Sequence, residues 1–334
     1  MRKKITIQSI ADFTGLSKFA VSRALSGKSG VSPQTREFIY KAAEQLGYFK
    51  DAPQDQHANG LQTVESRSWT GTVLVLFPNI RFQNADSPYW GPVFNGISSR
   101  LNQQGINILT LTEPSDDSMF SLLKPEAILG VITVGSISTQ ILLDIKRIGI
   151  PIVMVDHMDP RFHCDSIFTD NLSSMAEMID SIIQKGYRTF QFLGNIRDAR
   201  SYYERYLGYR SVLDDHGIEH KQLTSLIGPE LEQFHDTFKA AVSKHGLPEV
   251  FVCANDFSAK LALDTLAQMD IIIPHRPGFT GFDNTHPELP LLATVNVDKE
   301  LLGKRAVDKL LWRILNPNTS YEKLLIQAEV IIHE

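Results

Sequence analysis

The chain has 334 residues, of which 43% are hydrophobic, and its 33 Lys/Arg against 38 Asp/Glu give a formal net charge of −5. This length exceeds what one hydrophobic core usually holds, so more than one folding unit is expected. Cys164 and Cys253 are the only cysteines, and a cytosolic protein would keep both reduced. The sequence has no signal-peptide core and no apolar stretch of membrane-spanning length, which argues against an exported or membrane protein and predicts a cytoplasmic one.

The balance of charge is uneven along the chain. Residues 1–50 contain nine Lys/Arg and three Asp/Glu, a formal charge of +6, whereas the rest carries −11. A basic segment neutralises phosphates and releases counterions, which gives affinity for nucleic acid that does not depend on sequence. The small net charge of the chain therefore hides a basic segment, residues 1–50, which we expect to bind a different partner from the rest of the chain.

The basic segment contains three short amphipathic helical patterns with recognisable first and last residues. Thr6 precedes the first, Ser17 the second and Ser32-Pro33 the third, and hydroxyl side chains at such positions cap helix N-termini. The first pattern ends at Thr14-Gly15-Leu16 and the third at Gly47. Two short helices joined by a glycine-bearing turn predict a helix-turn-helix motif. The apolar residues that can face a shared core are Ile7, Ile10, Ala11, Val21, Ala24, Leu25, Phe38, Ile39, Ala42 and Leu46.

The second of these helices offers a face for DNA. Arg23 can reach a guanine edge in the major groove, and Phe19 can pack on a thymine methyl group. The alternative is a small three-helix bundle with a solvated charged face, but the caps, the turn and the charge all favour DNA reading. We predict DNA contacts from Thr6, Ser17, Lys18, Phe19, Ser22, Arg23 and Lys28.

Beyond the basic segment, strand-length apolar runs alternate with helical patterns. This order predicts parallel sheets with helices on both faces, and the length predicts two lobes with a ligand cleft at the carboxyl ends of the strands. The predicted strands are Val73–Phe77, Ile106–Leu111, Ile128–Val134, Ile150–Val155, Phe190–Leu193, Val250–Cys253 and Phe279–Phe282. The predicted helices include Val93–Gln104, Met175–Lys185, Tyr206–His216 and Ala259–Met269.

Polar side chains follow three of these strands and form a candidate ligand site. Asp156, Asn255 and Asp283 each come just after an apolar run. With Arg205 and the aromatic pair Tyr89-Trp90 they suit a sugar, because acids and amides bond hydroxyl groups while flat rings cover the apolar face. The alternative for any one acid is an N-cap of the following helix. We favour that alternative for Asp170 and Asp256, and ligand contact for the others.

Several motifs together resemble the LacI/GalR (lactose-repressor) family of bacterial transcription regulators. They are Ile5–Ala11, Gly15–Lys18, Val21–Gly27, Val31–Arg36 and Leu46–Tyr48. The resemblance implies a small all-α helix-turn-helix head and an α/β, two-lobed body like a periplasmic binding protein, with parallel sheets. The expected boundaries are 1–48 for the head, 49–71 for a linker or degenerate hinge, and 72–334 for the body. The lobes would be about 72–169 plus 298–325 and about 170–297 plus 326–334.

The linker departs from the family's pattern. Members carry a short hinge helix whose leucine wedges into the minor groove, and Leu61 is the candidate here. The family's Ala-Arg-x-Leu stretch is reduced to Ala58–Leu61, Gly60 costs about 1 kcal/mol of helix stability, and acids lie nearby where phosphates would repel them. An equally favoured alternative is that the linker is a flexible tether without a role in DNA binding.

The resemblance also implies roles in the cleft. Family members place an Arg before Gly-(Tyr/Phe), an Asn-Asp after a strand and an acid in a Gly-(Tyr/Phe)-Asp turn, which here correspond to Arg205, Asn255-Asp256 and Asp283. An Arg often follows the acid at the position of Asp156, where this chain has His157, and a Gln often stands at Val297. The predicted ligand residues are Tyr89, Trp90, Asp156, His157, Arg205, Asn255 and Asp283.

The favoured function is a transcription regulator, most simply a repressor, controlled by a sugar or sugar derivative. Its expected partners are an operator with an inverted repeat, a small effector and a second copy of the chain, with a protein co-effector left open. No cofactor, metal or catalytic residue is expected, and we interpret His216 and His220 as surface residues. The alternative is an architectural nucleic-acid-binding protein whose body binds another protein rather than a small ligand.

Overall fold

The computed structural model describes residues 6–25, 30–46, 69–77, 87–112, 125–220, 222–228, 230–269 and 275–333. The chain divides into two compact units, Met1–Leu61 and Gln62–Glu334, which we call the head and the body. The predicted DNA contact Lys28, the predicted wedge Leu61 and most of the predicted linker lie outside the described residues.

The head contains helices α1 (Ile7–Thr14), α2 (Lys18–Leu25) and α3 (Pro33–Leu46). The three predicted caps are confirmed. Thr6 Oγ1 accepts the backbone N–H of Ser9 at 3.3 Å, Ser17 Oγ accepts that of Ala20 at 3.2 Å, and Ser32 Oγ accepts that of Thr35 at 3.1 Å. Each hydroxyl satisfies an amide that has no partner in the first turn of its helix.

The head's core is small and consists mainly of aliphatic side chains. One predicted core residue is wrong, because Phe38 is 52% exposed. Phe38 and Ile39 are adjacent on a helix and project about 100° apart, so both could not face the same core. Ala43, one turn after Ile39, is buried instead. The buried members are Ile10, Ala11, Val21, Ala24, Ile39, Ala42 and Ala43.

The body alternates strands and helices as the sequence predicts. Its helices are α4 (Trp90–Gln103), α5 (Thr139–Ile148), α6 (Asn171–Gln184), α7 (Arg200–Asp215), α8 (Thr224–Ile227), α9 (Phe234–His245), α10 (Asp256–Ala267) and α11 (Lys299–Leu315), with 3-10 turns at Pro125–Ala127 and Leu231–Gln233. Its strands are β1 (Thr72–Phe77), β2 (Asn107–Thr112), β3 (Ile128–Val134), β4 (Ile152–Val155), β5 (Asp165–Thr169), β6 (Phe190–Leu193), β7 (Val250–Cys253), β8 (Gly278–Thr280), β9 (Ala293–Asn296), β10 (Lys323–Ile326) and β11 (Glu329–Ile332).

The strands form two sheets. The first has the order β10-β5-β4-β3-β1-β2 and is parallel throughout. The second has the order β11-β9-β8-β7-β6 and is parallel except for β11, which pairs antiparallel with β9. We call each sheet with the helices packed on it a lobe. The first lobe carries α4, α5 and α11, and the second carries α6, α7, α8, α9 and α10.

Within the described residues the chain crosses between the lobes after β5, after β9 and after β10. Two of the crossings are joined directly, because the backbone N–H of Asp170 donates to the carbonyl of Ile326 at 2.9 Å. One cluster of buried side chains includes residues of both sheets, such as Val153 and Phe192. The division into lobes at the predicted residue numbers stays a prediction.

Most of the apolar runs are buried on both faces, as expected for parallel strands covered by helices. The run Ile106–Leu111 is an exception, because it forms the edge strand β2 and Leu109 is 36% exposed. Strands β5, β9, β10 and β11 are additional to the seven predicted strands. Two further details differ from the prediction. The run Phe279–Phe282 leaves the sheet after Thr280, since the following residues turn toward the cleft. Trp69 is buried in the core of the body, which therefore begins before the predicted boundary at residue 72.

Helices α4 and α11 pack backbone to backbone in the first lobe. A Cβ atom on Gly96 would lie 2.1 Å from the carbonyl oxygen of Glu300, and one on Gly303 would lie 2.1 Å from that of Val93. Any larger residue at either position would force the helices apart. These glycines hold α4, and with it the residues at its start, at a fixed place in the lobe.

Candidate functional sites: a recognition helix and a cleft between two lobes

The outer face of α2 forms the candidate DNA surface of the head. Lys18, Phe19 and Ser22 are exposed, and Arg23 is half-buried. Phe19 is 68% exposed, and the guanidinium of Arg23 lies 5.2 Å from the centre of its ring. A cation held over an aromatic face one helical turn away is restricted in its rotamers. The two side chains can therefore act together on neighbouring bases.

Helix α3 fixes the end of α2. Arg36 Nη1 donates to the carbonyl of Ala24 at 3.0 Å, and the Tyr40 hydroxyl donates to that of Leu25 at 3.4 Å. These bonds satisfy carbonyls that a helix C-terminus leaves without partners. Two other predicted DNA contacts, Thr6 and Ser17, use their hydroxyl groups to cap helices. Each would have to contact DNA while it also caps its helix.

A cleft of about 590 Å³ lies in the body where strands of both sheets end. This volume is typical of small-molecule sites. Six of the seven predicted ligand residues line it, from both lobes: Tyr89, Trp90, Asp156, Arg205, Asn255 and Asp283. The strand-end argument therefore brought together residues that are far apart in sequence.

Arg205 lies at the centre of the cleft and is only 1% exposed. Its Nη2 donates to Asp283 Oδ1 at 2.8 Å, its Nε to Asn171 Oδ1 at 2.9 Å, and its Nη1 to the carbonyl of Ala254 at 2.8 Å and to Asp283 Oδ2 at 3.4 Å. The guanidinium also lies flat against Phe282, 3.7 Å from the ring centre. Four of the five N–H groups of a guanidinium are thus used, so Arg205 is held rigid with its charge already compensated.

Asp156 is the acid of the first lobe and has a different environment. The Tyr89 hydroxyl donates to its Oδ2 at 3.4 Å, while its Oδ1 is buried without a hydrogen-bond partner among the described residues. Burial raises the pKa of Asp156 to about 7, against the opposing effect of the Arg205 charge. Near neutral pH this carboxyl can exist in either form, and it can therefore donate as well as accept a hydrogen bond.

Both acids have strained backbones. Asp156 has φ 54° and Asp283 has φ 87°, in the left-handed region that side-chain-bearing residues rarely adopt. Such a conformation costs on the order of 1 kcal/mol or more and is found where function requires a particular side-chain direction. The strain at two acids that face one cleft supports a binding role.

Asn255 takes the capping role that the sequence suggested for Asp256. The cap of α10 is Asn255, whose Oδ1 accepts the backbone N–H of Ser258 at 2.9 Å, and its Nδ2 donates to the Tyr202 hydroxyl at 2.7 Å. The predicted cap Asp256 is wrong, whereas Asp170 caps α6 through the N–H of Ser173 as predicted. Asn255 lines the cleft with its amide already engaged.

Asp256 instead fixes the turn that carries Asp283. Its buried carboxylate accepts the backbone N–H groups of Thr285 and His286 at 2.7 and 3.2 Å and the Thr294 hydroxyl at 2.8 Å. A Cβ on Gly281 would lie 1.9 Å from Asp256 Oδ1, so the glycine of this turn makes room for that carboxylate. Asp256 therefore holds the backbone just after Asp283, and we interpret it as a positioning residue.

His157 is the predicted ligand residue that is not among those lining the cleft. Its half-buried ring lies near Asp159 and the backbone of Ile137, and burial lowers its pKa. The chain turns at the left-handed Asp156, so the two neighbouring side chains diverge. Val297, the other departure from the family pattern, is buried in the core and does not line the cleft either.

The sequence reasoning missed several residues that line the cleft. Asn195 and Asp198 follow β6, so the rule that found Asp156 could have found them too. Glu230 and the apolar residues of the cleft carry no comparable signal. The missed apolar residues are Leu231, Phe234, Phe257 and Leu261.

The two histidines with helical spacing are engaged in ordinary contacts. His216 Nε2 lies 2.7 Å from Asp180 Oδ1, and His220 Nε2 lies 3.5 Å from the Tyr206 hydroxyl. Among the described residues there is no cluster of three or more His, Cys, Asp or Glu that could hold a metal ion. No helix in the described part of the chain is long and apolar enough to span a membrane.

A basic helix-turn-helix head joined to a two-lobed body of parallel sheets with a cleft is the architecture of a DNA-binding transcription regulator. Comparisons with known proteins agree. Residues 6–51 match the family model of bacterial regulatory proteins of the lacI family. Residues 70–334 match that of periplasmic binding proteins and the sugar-binding domain of the LacI family. The chain belongs to the LacI family of bacterial regulatory proteins.

Two similar proteins are transcription regulators that align with this chain over almost their whole length. The HTH-type transcriptional regulator GalR of Lacticaseibacillus casei is 26% identical over 339 residues, covering 98% of both chains. The regulator CelR of Thermobifida fusca is 23% identical, covering all of this chain and 98% of its own.

Two solved structures show the same fold. A CelR–cellobiose complex has a TM-score of 0.66 at 20% identity, and a lac repressor dimer bound to operator and the anti-inducer ONPF has 0.61 at 19%. Each alignment covers 98% of both chains.

Proposed function

We propose that this LacI-family regulator is a repressor that binds an inverted-repeat operator as a homodimer and is controlled by a sugar or sugar derivative in the cleft. One head covers too short a stretch of DNA to be selective, and two heads related by a two-fold axis would read a palindrome. The role proposed for the cleft is binding and not catalysis. A regulator of this kind works where the chromosome is, in the cytoplasm.

The observation that carries ligand control is the preorganised Arg205–Asp283 pair. This ion pair is buried in a cleft beside a carboxyl with a raised pKa and two aromatic rings. Burying two charges costs desolvation free energy, and groups with perturbed pKa values cluster at functional sites. Tyr89 and Trp90 meet edge to face with ring centres 4.7 Å apart and offer flat apolar surface, while the acids offer acceptors for hydroxyl groups. The cellobiose bound to the similar CelR structure supports a sugar as the class of ligand.

A chain of contacts links this pair to the junction of the lobes. Asn171, which accepts from Arg205, also donates to Glu204 Oε2 at 3.3 Å. Glu204 Oε1 in turn lies 3.2 Å from Lys323 Nζ on β10 of the first lobe. A ligand that changes the position of Arg205 would thus shift a contact between lobes, and ligand and operator affinities would change by equal factors.

Selection of bound duplexes from a random DNA library tests the DNA half of the proposal. Enrichment of an inverted repeat is the expected result, and enrichment of a single half-site would contradict the dimer. A constrained central step would support Leu61 as a wedge, whereas an unconstrained centre would favour the flexible tether. Failure to enrich any sequence, with and without sugars, would favour the architectural alternative.

A thermal-shift panel of sugars tests the ligand half. A ligand at a hundred times its dissociation constant should stabilise the body by about 2.7 kcal/mol. The matched control is Arg210→Ala, because Arg210 is an exposed arginine on the same helix as Arg205. The response should survive in that control and be lost in Arg205→Lys, which keeps the charge but not the forked geometry.

A further inference from the structure

The cleft is larger than one sugar ring needs. A bonded non-hydrogen atom takes up less space than the ~30 Å³ of a water molecule in the liquid, so 590 Å³ has room for at least about twenty such atoms, whereas a hexose has about twelve and a disaccharide about twenty-three. We call Asp156, Arg205, Asn255 and Asp283, with Tyr89 and Trp90, the first subsite. The remaining room lies beside other residues.

Helix α10 shows in which direction the cleft extends. Asn255 caps this helix in the first subsite, and Phe257, Ser258 and Leu261 line the cleft along its first two turns. With a rise of 1.5 Å per residue, Leu261 lies about 9 Å along the axis from Asn255. We call Asp198, Glu230, Leu231, Phe257, Ser258 and Leu261 the second subsite.

The second subsite combines apolar surface with hydrogen-bond acceptors. Leu231, Phe257 and Leu261 are half-buried, so part of each side chain faces the cleft, while Asp198 and Glu230 are exposed at the rim. An alkyl or aryl group alone would gain nothing from the two carboxylates. A sugar ring has an apolar face and a rim of hydroxyl donors, and it fits both kinds of surface.

The charge of the cleft narrows the ligand further. Four acids line it, Asp156, Asp198, Glu230 and Asp283, against the single arginine Arg205. Arg205 is already paired with Asp283 at 2.8 Å. Acidic side chains therefore outnumber basic ones along the cleft, so a phosphate or carboxylate on the ligand would be repelled at short range.

We infer that the effector is an uncharged glycoside of two sugar units, with one ring in the first subsite and the other in the second. The inference rests on the proposed function, because it assumes that the cleft binds a sugar. It adds the length of the ligand and the absence of negative charge.

Titration calorimetry on the full-length protein tests this with defined probes. The probes are cellobiose, maltose, lactose, sucrose and trehalose, the monosaccharides glucose, galactose and fructose, 4-nitrophenyl glucoside and galactoside, and sucrose 6-phosphate and maltose 6-phosphate. At least one neutral disaccharide should bind more than tenfold tighter than its constituent monosaccharides and than the nitrophenyl glycosides. The phosphorylated disaccharides should bind more weakly than their neutral forms.

Phe257→Ala removes apolar surface from the second subsite alone. It should weaken the best disaccharide about tenfold and leave its constituent monosaccharides within about twofold, since truncation of one well-packed contact has effects of this size. Leu263→Ala is the matched control, because Leu263 is a half-buried apolar residue of the same helix that does not line the cleft. It should change neither affinity.

The outcomes separate this inference from the proposed function. Equal affinity for mono- and disaccharides, or a Phe257→Ala variant that binds the disaccharide normally, would overturn the second sugar subsite and leave the sugar-controlled regulator standing. Tighter binding of a nitrophenyl glycoside would make the second subsite a site for apolar groups, and tighter binding of a sugar phosphate would overturn the charge argument. If no saccharide binds, both the inference and the proposed ligand class fail.

Discussion

The head and the cleft place their functional side chains in opposite ways. In the head, the candidate DNA contacts Lys18, Phe19, Ser22 and Arg23 fall within one helix and mostly face solvent. In the cleft, Arg205 is buried and held by Asn171, Ala254 and Asp283, which come from three other segments.

The difference is what the two proposed ligands, DNA and a small neutral sugar, require. A DNA groove is wide and its phosphates attract from a distance, so exposed side chains that adjust on contact are adequate. A small neutral ligand offers few contacts, and affinity depends on groups that are already in place before it binds. A substitution in the cleft should therefore affect folding as well as binding, whereas one on the face of α2 should affect binding alone.

The largest expected effect is that of Arg205→Ala. It leaves the Asp283 carboxylate buried without its partner, and breaking a buried pair in this way costs about 3–5 kcal/mol. Urea denaturation followed by tryptophan fluorescence measures this in the body alone, because Trp69, Trp90 and Trp312 all lie there.

The control for this experiment is Arg210→Ala. Arg210 lies 3.7 Å from Asp214 in an exposed pair on the same helix, and such pairs contribute about 1 kcal/mol or less. If both variants lost the same free energy of unfolding, the claim that the buried contacts of Arg205 stabilise the body would be wrong. DNA binding by the head should persist in both variants under conditions where the body is folded.

The second effect is on the pH dependence of stability. The pKa of Asp156 is about 7 in the folded body against an ordinary value of 3.8, so between about pH 4 and pH 7 the folded state holds a proton that the unfolded chain has released. The free energy of unfolding should therefore fall with rising pH in this window, by up to about 1.4 kcal/mol per unit from this group. Asp156→Asn should remove that component and flatten the slope.

Urea titrations at pH 5, 6, 7 and 8 measure the slope for the wild type and the variant. Asp215→Asn, at the exposed end of α7, is the control for a carboxyl outside the cleft. Parallel curves for the wild type and Asp156→Asn would show that burial does not hold a proton on Asp156. Because the ligand would meet the same carboxyl, its affinity should change over the same range of pH.

The sequence predicts the head better than the cleft, because the signals in the head are local. The face of α2 can be read from residues three and four apart, and the caps Thr6, Ser17 and Ser32 are local signals. Phe38 was misplaced because neighbouring rows on α3 both contain apolar residues, and periodicity alone does not say which row meets the other two helices.

The cleft is predicted only in part, because much of it depends on contacts between distant segments. Asp156, Asn255 and Asp283 were found because strand ends meet at one edge of a parallel sheet. The positioning role of Asp256 was not, since its partners lie 29 to 38 residues further along the chain. The direction of His157 depends on the backbone angle of its neighbour, which the residue type does not reveal.

The third effect concerns the head. Arg23→Ala should weaken binding to the selected operator by about 10- to 100-fold and relax its preference at one base pair, because a base contact to guanine contributes about 1–3 kcal/mol. Lys18→Ala should instead weaken all duplexes alike and reduce the dependence on salt. Binding assays with the operator and with single-base variants at several salt concentrations distinguish the two.

Lys41→Ala is the control for charge in the head, since Lys41 is exposed on α3 and pairs with Glu37 at 2.9 Å. A loss of operator binding in this variant as large as that in Arg23→Ala would mean that charge alone, and not the face of α2, determines affinity. Loss of helical structure in Arg23→Ala would contradict the view that this face contributes to binding only.

The smallest effect compares the same kind of change in both units. Thr6 caps α1 of the head and Ser138 caps α5 of the body, each by accepting a backbone N–H three residues on, at 3.3 and 3.4 Å. Replacing either with Ala should cost about 1 kcal/mol locally. The described part of the head has a buried core of seven side chains, so this loss is a larger share of the head's stability. Hydrogen exchange of the head's amides should therefore rise clearly in Thr6→Ala, whereas Ser138→Ala should change exchange around α5 and leave the deeper strands of the body protected.

If exchange rose equally throughout the body in Ser138→Ala, the body would unfold as readily as the head. The contrast between a marginally stable head and a well-packed body would then be wrong.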